Sequence, residues 1–153
     1  MINKILVMGL PGSGKTTLSL HLAKKLHAVR FNADEVRRNI NKDLGFSVED
    51  RIEQARRMSW LCDQVTMAGH VALADFICPT EETREAFNAD YIIWVDTIYK
   101  GRFEDTNLLF EPPTSFDFRV TKKTNPEEWA KIIYSDIKGE GSVYGINLGQ
   151  GVI

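Results

Sequence analysis

KILVMGLPGSGKTTLSLHLAKKL, residues 4–26, is the stretch on which the fold turns. It opens with a short apolar run, 4–9, that stops at a glycine and suits a buried parallel strand. It ends with Leu18, Leu22 and Leu26 at spacing four, one face of a helix over 15–27. Between them, GLPGSGKT (9–16) fills every position of GxxxxGK[ST], with a strand before it and a helix after it, the context this motif requires. Glycines let the backbone wrap a phosphate chain so that several N–H groups point inward, and the helix N-terminus adds partial positive charge. Gly9, Leu10, Pro11, Gly12, Ser13, Gly14, Lys15, Thr16 and Thr17 are therefore the expected ATP-binding residues. Lys15 is expected to meet the β- and γ-phosphates, and the Thr16 hydroxyl to be a ligand of Mg2+. A glycine turn before an ordinary helix is the plainer alternative, but it leaves the lysine and threonine unexplained.

Outward from this loop, strand and helix alternate. Residues 28–32 read as a second strand and Asp34 to about Ile40 as a short helix. Ser47 opens the longest helix, with Asp50 three residues on. Ile52, Ala55, Met58, Leu61, Val65 and Ala68 form its apolar stripe, and Gly69 is its stop. Strands follow at 70–77, 91–96 and 116–120, with a short helix at 81–87. Asn125-Pro126 caps and starts a last helix that runs to about Ile137. Residues 97–116 have no clear period and contain Pro112-Pro113, so they read as a functional loop. The glycine-rich end, 139–153, reads as an irregular arm. This alternation predicts an α/β fold of the P-loop NTPase type: a parallel five-stranded sheet, helices on both faces, right-handed crossovers. Residues 1–153 read as one domain, with ligands at the carboxyl ends of the strands.

The chain has 153 residues, 43% of them hydrophobic and 26% charged, with a formal net charge of −2. That balance argues against a nucleic-acid coat or a membrane-surface protein, where a basic excess is expected. No apolar run approaches a membrane span, and the apolar N-terminus runs straight into the glycine loop rather than into a cleavage site. The expected location is cytoplasmic. The two cysteines, Cys62 and Cys78, form no CxxC pair. Cys62 sits on a helix face and reads as a packing residue, and the pair reads neither as a disulfide nor as part of a metal site.

A phosphate loop does not name a reaction. NKDL (41–44) lacks the acid of a guanine-reading NKxD, because residue 44 is leucine, and no DxxG follows the third strand. A small chain with an acid at the end of strand two reads instead as a kinase that phosphorylates a hydroxyl. Asp34 would accept the acceptor's hydroxyl proton; its alternative is an N-cap for the short helix. Arg37 and Arg51 offer guanidinium forks for an anionic acceptor. Their alternative, shared with Arg38, Arg56 and Arg57, is a solvated surface of mixed charge. Asp75 ends strand three, where an acid can stand near Mg2+; its alternative is a strand-end cap. Phe46 either stacks on a planar base or is a core aromatic.

NADEVRRNINKDLGFSVEDRIEQARR (32–57) resembles the adenylylsulfate kinase signature, roughly DGDNVRxGLNKDLGFSxxDRxENxRR. With GLPGSGKTT, FICP and FEPP, the resemblance covers most of residues 4–113. It implies transfer of the γ-phosphate of ATP to the 3′-hydroxyl of adenosine 5′-phosphosulfate, a step of sulfate assimilation. It also implies a small-molecule nucleotide acceptor, Mg2+ and a homodimer. By matching position, Asp34 and Lys15 are the implied catalytic pair. Arg37, Phe46, Arg51 and Ile77 line the implied acceptor site, with Phe103 a replacement for a second stacking ring and Phe110 its competitor. The chain departs from the pattern in several places. Asn32 stands for the first acid of DGD, and Gln54 for the asparagine of ENxRR. Asp75, Cys78 and Thr80 stand for two serines and a tyrosine of SFISPY. IYKGRFEDTNLLFEPP (98–113) is much shorter than the family's lid, with Lys100 and Arg102 its only basic residues. Two other readings are a polynucleotide 5′-kinase, with nucleic acid as the acceptor, and a non-catalytic ATP-binding sensor.

Overall fold

The structure, a computed structural model, describes residues 1–98 and 109–139. Its sheet is parallel and five-stranded in the order β2-β3-β1-β4-β5. The strands are β1 (Lys4–Met8), β2 (Val29–Asn32), β3 (Ala72–Asp75), β4 (Tyr91–Val95) and β5 (Phe118–Val120). The helices are α1 (Lys15–Leu26), α2 (Ala33–Asn39), α3 (Val48–Met67), α4 (Glu81–Phe87) and α5 (Pro126–Ile137). Every element expected between residues 4 and 137 is present, with strands shorter at their ends than the apolar runs suggest.

Alternation along the strands divides the core in two, because successive side chains point to opposite faces. Ile5, Val7, Leu73, Ile93 and Phe118 pack under α1 and α5 with Leu22, Trp129 and Ile133. Leu6, Met8, Ala72 and Ala74 pack on the other face with Val36, Ala55, Met58, Cys62 and Phe87 from α2, α3 and α4.

The helix caps explain most boundaries. Ser47 Oγ accepts from Asp50 N at 3.1 Å, and Asn125 Oδ1 from Glu127 N at 3.0 Å, ahead of Pro126 at the first helical position. Two sequence expectations change. The cap of α2 is Asn32, whose Oδ1 accepts from Glu35 N at 3.1 Å, so Asp34 lies inside the first turn and is not a cap. The buried stripe of α3 is Gln54, Ala55, Met58 and Cys62. Ala68 is exposed and Ile52, Leu61 and Val65 are half-buried: a helix of 20 residues outruns strands of 4 or 5 residues such as β3 and β1. No helix among the described residues is long and apolar enough to cross a membrane.

Candidate active site

The phosphate loop joins the carboxyl end of β1 to α1. Gly9 has φ 154, and a Cβ there would overlap the carbonyl oxygen of Val95, so only glycine fits between β1 and β4. Gly14 caps α1 in the left-handed region at φ 103, without a side-chain bond. Lys15 is nearly buried, and its Nζ donates to the Leu10 carbonyl at 3.0 Å, inside the loop. The loop's outer carbonyls are held from outside. Thr97 Oγ1 donates to Ser13 O at 2.7 Å and Lys123 Nζ to Gly12 O at 2.6 Å. Thr16 and Thr17 are exposed at the helix start.

Beside the loop lies a cavity of about 170 Å³, lined by Gly14, Thr17 and Leu18 from the α1 side and by Val95, Val120, Lys122, Lys123 and Trp129 from the other. Trp129 Nε1 donates to the Lys122 carbonyl at 3.1 Å and holds this wall in place. The sequence reading did not mark residues 122–129 as functional. The available signal was TKKTNP, two lysines just before a capped helix.

On the other side of the loop, Asp75 ends β3, 1% exposed. Its Oδ2 accepts from Arg30 Nη2 at 3.2 Å and from Asn32 Nδ2 at 3.1 Å. Ser19 Oγ lies 3.1 Å from the same oxygen and 2.9 Å from the Thr16 carbonyl, so its one proton serves one of them at a time. Arg30 Nε donates to that hydroxyl at 2.8 Å. Asp75 Oδ1 is buried and has no hydrogen-bond partner among the described residues. Asp75 is thus the centre of a charged cluster, and the strand-end cap reading does not describe it.

Asp34 is exposed on α2, and it and Asp50 both offset the effect of burial on Arg37, which pushes that guanidinium below its ordinary pKa. Arg37 Nη1 donates to the carbonyls of Gly45 at 2.7 Å and Leu44 at 3.3 Å. Arg51 Nε donates to the Phe46 carbonyl at 3.1 Å, and Asp50 Oδ2 accepts from Gly45 N at 2.8 Å. Phe46 is 67% exposed, which corrects the core-aromatic alternative. Its ring centroid lies 4.4 Å from Arg37 Cζ and 5.4 Å from Arg51 Cζ. The structure therefore gathers Arg37, Phe46 and Arg51 around one turn. Arg56 and Arg57 belong to the mixed-charge surface, paired with Glu53 and Asp43. Ile77 is half-buried just past β3. Phe110 packs on the α3–α4 side with Arg84 over its ring, 5.5 Å from the centroid. Phe103, Lys100, Arg102 and the arm from residue 140 lie outside the described residues.

Magnesium favours hard oxygen donors and keeps part of its water shell. An orphaned buried carboxylate oxygen on Asp75 and an exposed Thr16 hydroxyl fit such an ion. Among the described residues no group of three or more His, Cys, Asp or Glu could cage one.

A parallel sheet with a phosphate loop at its β1–α1 turn and an acid on the adjoining α2 defines the phosphate-loop kinase fold. The family model of adenylylsulphate kinase matches residues 2–96, and the chain belongs to that family. The adenylyl-sulfate kinase of Staphylococcus haemolyticus is 43% identical over 82 residues, covering 50% of this chain and 41% of the relative. That of Oceanobacillus iheyensis is 43% identical over 86 residues, covering 53% and 43%. The chain thus matches less than half the length of these curated relatives. In fold it is similar to the Mycobacterium tuberculosis APS kinase in complex with AMPPNP and APS, with a TM-score of 0.77 and 24% identity over 90% of this chain and 98% of that one. Shikimate kinase from Acinetobacter baumannii shares the fold at a TM-score of 0.59 and 16% identity, over 91% and 94% of the chains.

Proposed function

We propose that the protein transfers the γ-phosphate of ATP to the 3′-hydroxyl of adenosine 5′-phosphosulfate. The observation that carries this reading is the hydrogen-bonded path from α1 through Ser19, Asp75 and Asn32 to the first turn of α2, which holds Asp34. That path ties the turn carrying Asp34 to the helix that follows the phosphate loop, with Arg37 on the next turn of α2 and Phe46 and Arg51 around the turn that opens α3. Family membership supports the choice of acceptor.

In this reading the loop amides and Lys15 hold the β- and γ-phosphates, and the cavity walled by Val95, Val120 and Trp129 takes the base of ATP. Thr16, with Asp75 through its free oxygen, would hold Mg2+, which supplies charge neutralisation at the phosphates. Asp34 accepts the proton of the acceptor hydroxyl as its oxygen bonds to the γ-phosphorus and the bond to the ADP oxygen breaks. Phe46 stacks on the acceptor base. Arg37, already partly desolvated, pairs with the phosphosulfate together with Arg51. Family resemblance also supports a homodimer acting in the cytoplasm, and light scattering of the purified protein tests the dimer.

Labelled ATP with a panel of acceptors tests the reaction. Adenylylsulfate should be labelled in preference to free nucleosides and to oligonucleotides with 5′-hydroxyls. Labelling of the oligonucleotides instead would replace this reading with a polynucleotide kinase. ATP binding with no transfer to any acceptor would leave a sensor.

A further inference from the structure

Asn32 and Asp75 are direct partners in the β2–β3 ladder, and their side chains meet on the face covered by α1. Arg30 stands two residues earlier on β2, so it shares that face and its guanidinium, 13% exposed, reaches the same carboxylate oxygen. The cluster gathers the Asp75 carboxylate, the Arg30 guanidinium, the Asn32 amide and the Ser19 hydroxyl, with the exposed Glu35 carboxylate 4.0 Å from Arg30 on its outer side. Asn32 is used at both ends. Nδ2 donates to Asp75 Oδ2 at 3.1 Å, while Oδ1 accepts from Glu35 N at 3.1 Å and caps α2. An amide carries its donor and its acceptor on separate atoms and can serve both sides at once, whereas an ionised carboxylate cannot donate.

The two positions therefore constrain each other. An aspartate at position 32 could still cap the helix, but it would set two carboxylates face to face across the ladder, with Arg30 beside them. A serine at position 75, with Asn32 kept, would remove the buried acid from Arg30 and leave it only the exposed Glu35 carboxylate at 4.0 Å. An aspartate at 32 with a serine at 75 restores one acid, on the same face as Arg30, and a hydroxyl opposite it. That is the pairing in the signature quoted above, where these places hold the first acid of DGD and the first serine of SFISPY.

We propose that Asn32 and Asp75 form one interdependent unit that positions Asp34, and that in this chain its single carboxylate sits on β3 rather than on β2. Asn32 is then a positioning residue: it ties the first turn of α2 to a fixed acid beside the phosphate loop. The role given to Asp34 rests on the reaction proposed above; the pairing itself does not.

A double-mutant cycle tests it, with Asn32→Asp, Asp75→Ser and the two combined. Chemical denaturation is measured without nucleotide or metal, and kcat and KM are measured with ATP and adenylylsulfate. Each single substitution should lower the denaturation midpoint, and Asn32→Asp should also reduce kcat roughly tenfold or more, while the combined variant should recover most of the lost midpoint, a non-additivity expected of residues in contact or in one hydrogen-bond network. KM for ATP should stay within about threefold in the Asn32 single variants, which leave both the loop and Asp75 in place. Asn32→Ser keeps a helix cap but is too short to reach Asp75, so it should lose kcat with little change in midpoint. A combined variant no more stable than the sum of the single midpoint effects overturns the proposal, as does wild-type behaviour of Asn32→Asp. If a single variant fails to fold, a folded combined variant supports the pairing and an unfolded one overturns it. The denaturation cycle needs neither ATP nor acceptor. Additive midpoints therefore overturn the pairing whatever the acceptor panel shows, and a silent panel with coupled midpoints removes the reaction and leaves the pairing standing.

Discussion

Asp34 lies two residues past the cap of α2 and is exposed. The helix is capped without it, by Asn32, so its carboxylate is free of that structural duty. Asp34→Asn should therefore leave thermal stability nearly unchanged, losing at most the ~0.3–1 kcal/mol of an acid in a first helical turn. Turnover should fall by roughly 10²–10⁴-fold, the range for removal of a general base, with ATP affinity kept. Normal turnover at saturating acceptor would move the base elsewhere, with Asp75, buried and already bonded on one oxygen, the first alternative. Lys15 makes a different case, because its Nζ is turned onto the loop's own Leu10 carbonyl. Lys15→Ala should lower transfer by roughly 10²-fold or more by removing a preorganised charge from the migrating phosphoryl group. Circular dichroism of the variant should match the parent, and wild-type turnover in folded protein would take the loop out of the mechanism.

The long helix α3 serves the site with its first turn and the surface with its middle. Ser47, Asp50 and Arg51 hold the Phe46 turn, while Arg57 bridges Glu53 to Asp43 at 2.7 and 2.8 Å. Hydrogen bonds from Arg56 and Arg57 hold the Glu53 carboxyl down to about 2 from an ordinary 4.5, and Arg57 lowers that of Asp43. A folded-state pKa below the unfolded one stabilises the protein above the unfolded value, and the gain is lost as pH falls through the folded one. The stability difference between the parent and Arg57→Ala should thus be full above about pH 4.5 and close as pH falls towards 2. Urea titrations at several pH values in that window measure it. A difference that does not change with pH would mean that Arg57 acts by packing alone. The loop after β3 is organised by another arginine. Arg84, 5% exposed, donates to the carbonyls of Cys78 and Pro79, at 3.1 Å each, and to that of Glu111. It ties FICP to FEPP, two segments of the resemblance that lie about thirty residues apart in the chain.

At the scale of the whole molecule, what the sequence announced was local. The phosphate loop, the Ser47 and Asn125-Pro126 caps and the alternation of strand and helix each need only a few neighbouring residues to be read. What stayed hidden depends on residues brought together from afar. The pairing of Arg30 with Asp75 spans 45 positions, the bond from Lys123 to Gly12 spans 111, and neither has a periodic signature. The exposure of Phe46 was undecidable for the same reason, since a ring beside two arginines packs inward or outward according to a turn closed by Arg37 and Asp50. The cysteines offer a test at this scale. Cys62 on α3 and Cys78 after β3 are both fully buried in the same core layer, and burial pushes each thiol up to about 12. Because the thiolate is the reactive form, both should resist a thiol reagent in the native state and react only on opening. If that opening is global, the two should label at one rate, and a ligand that binds only the native state should slow both equally, by ~100-fold at a concentration 100 times its Kd. Mass spectrometry of labelling with and without ATP and Mg2+ reads the two sites separately. Cys78 lies in a loop at φ 48, with its carbonyl held by Arg84. Faster labelling there than at Cys62, unaffected by ATP, would show that the loop between β3 and α4 opens by itself and that the α3–α4 layer is not one cooperative unit with the phosphate loop.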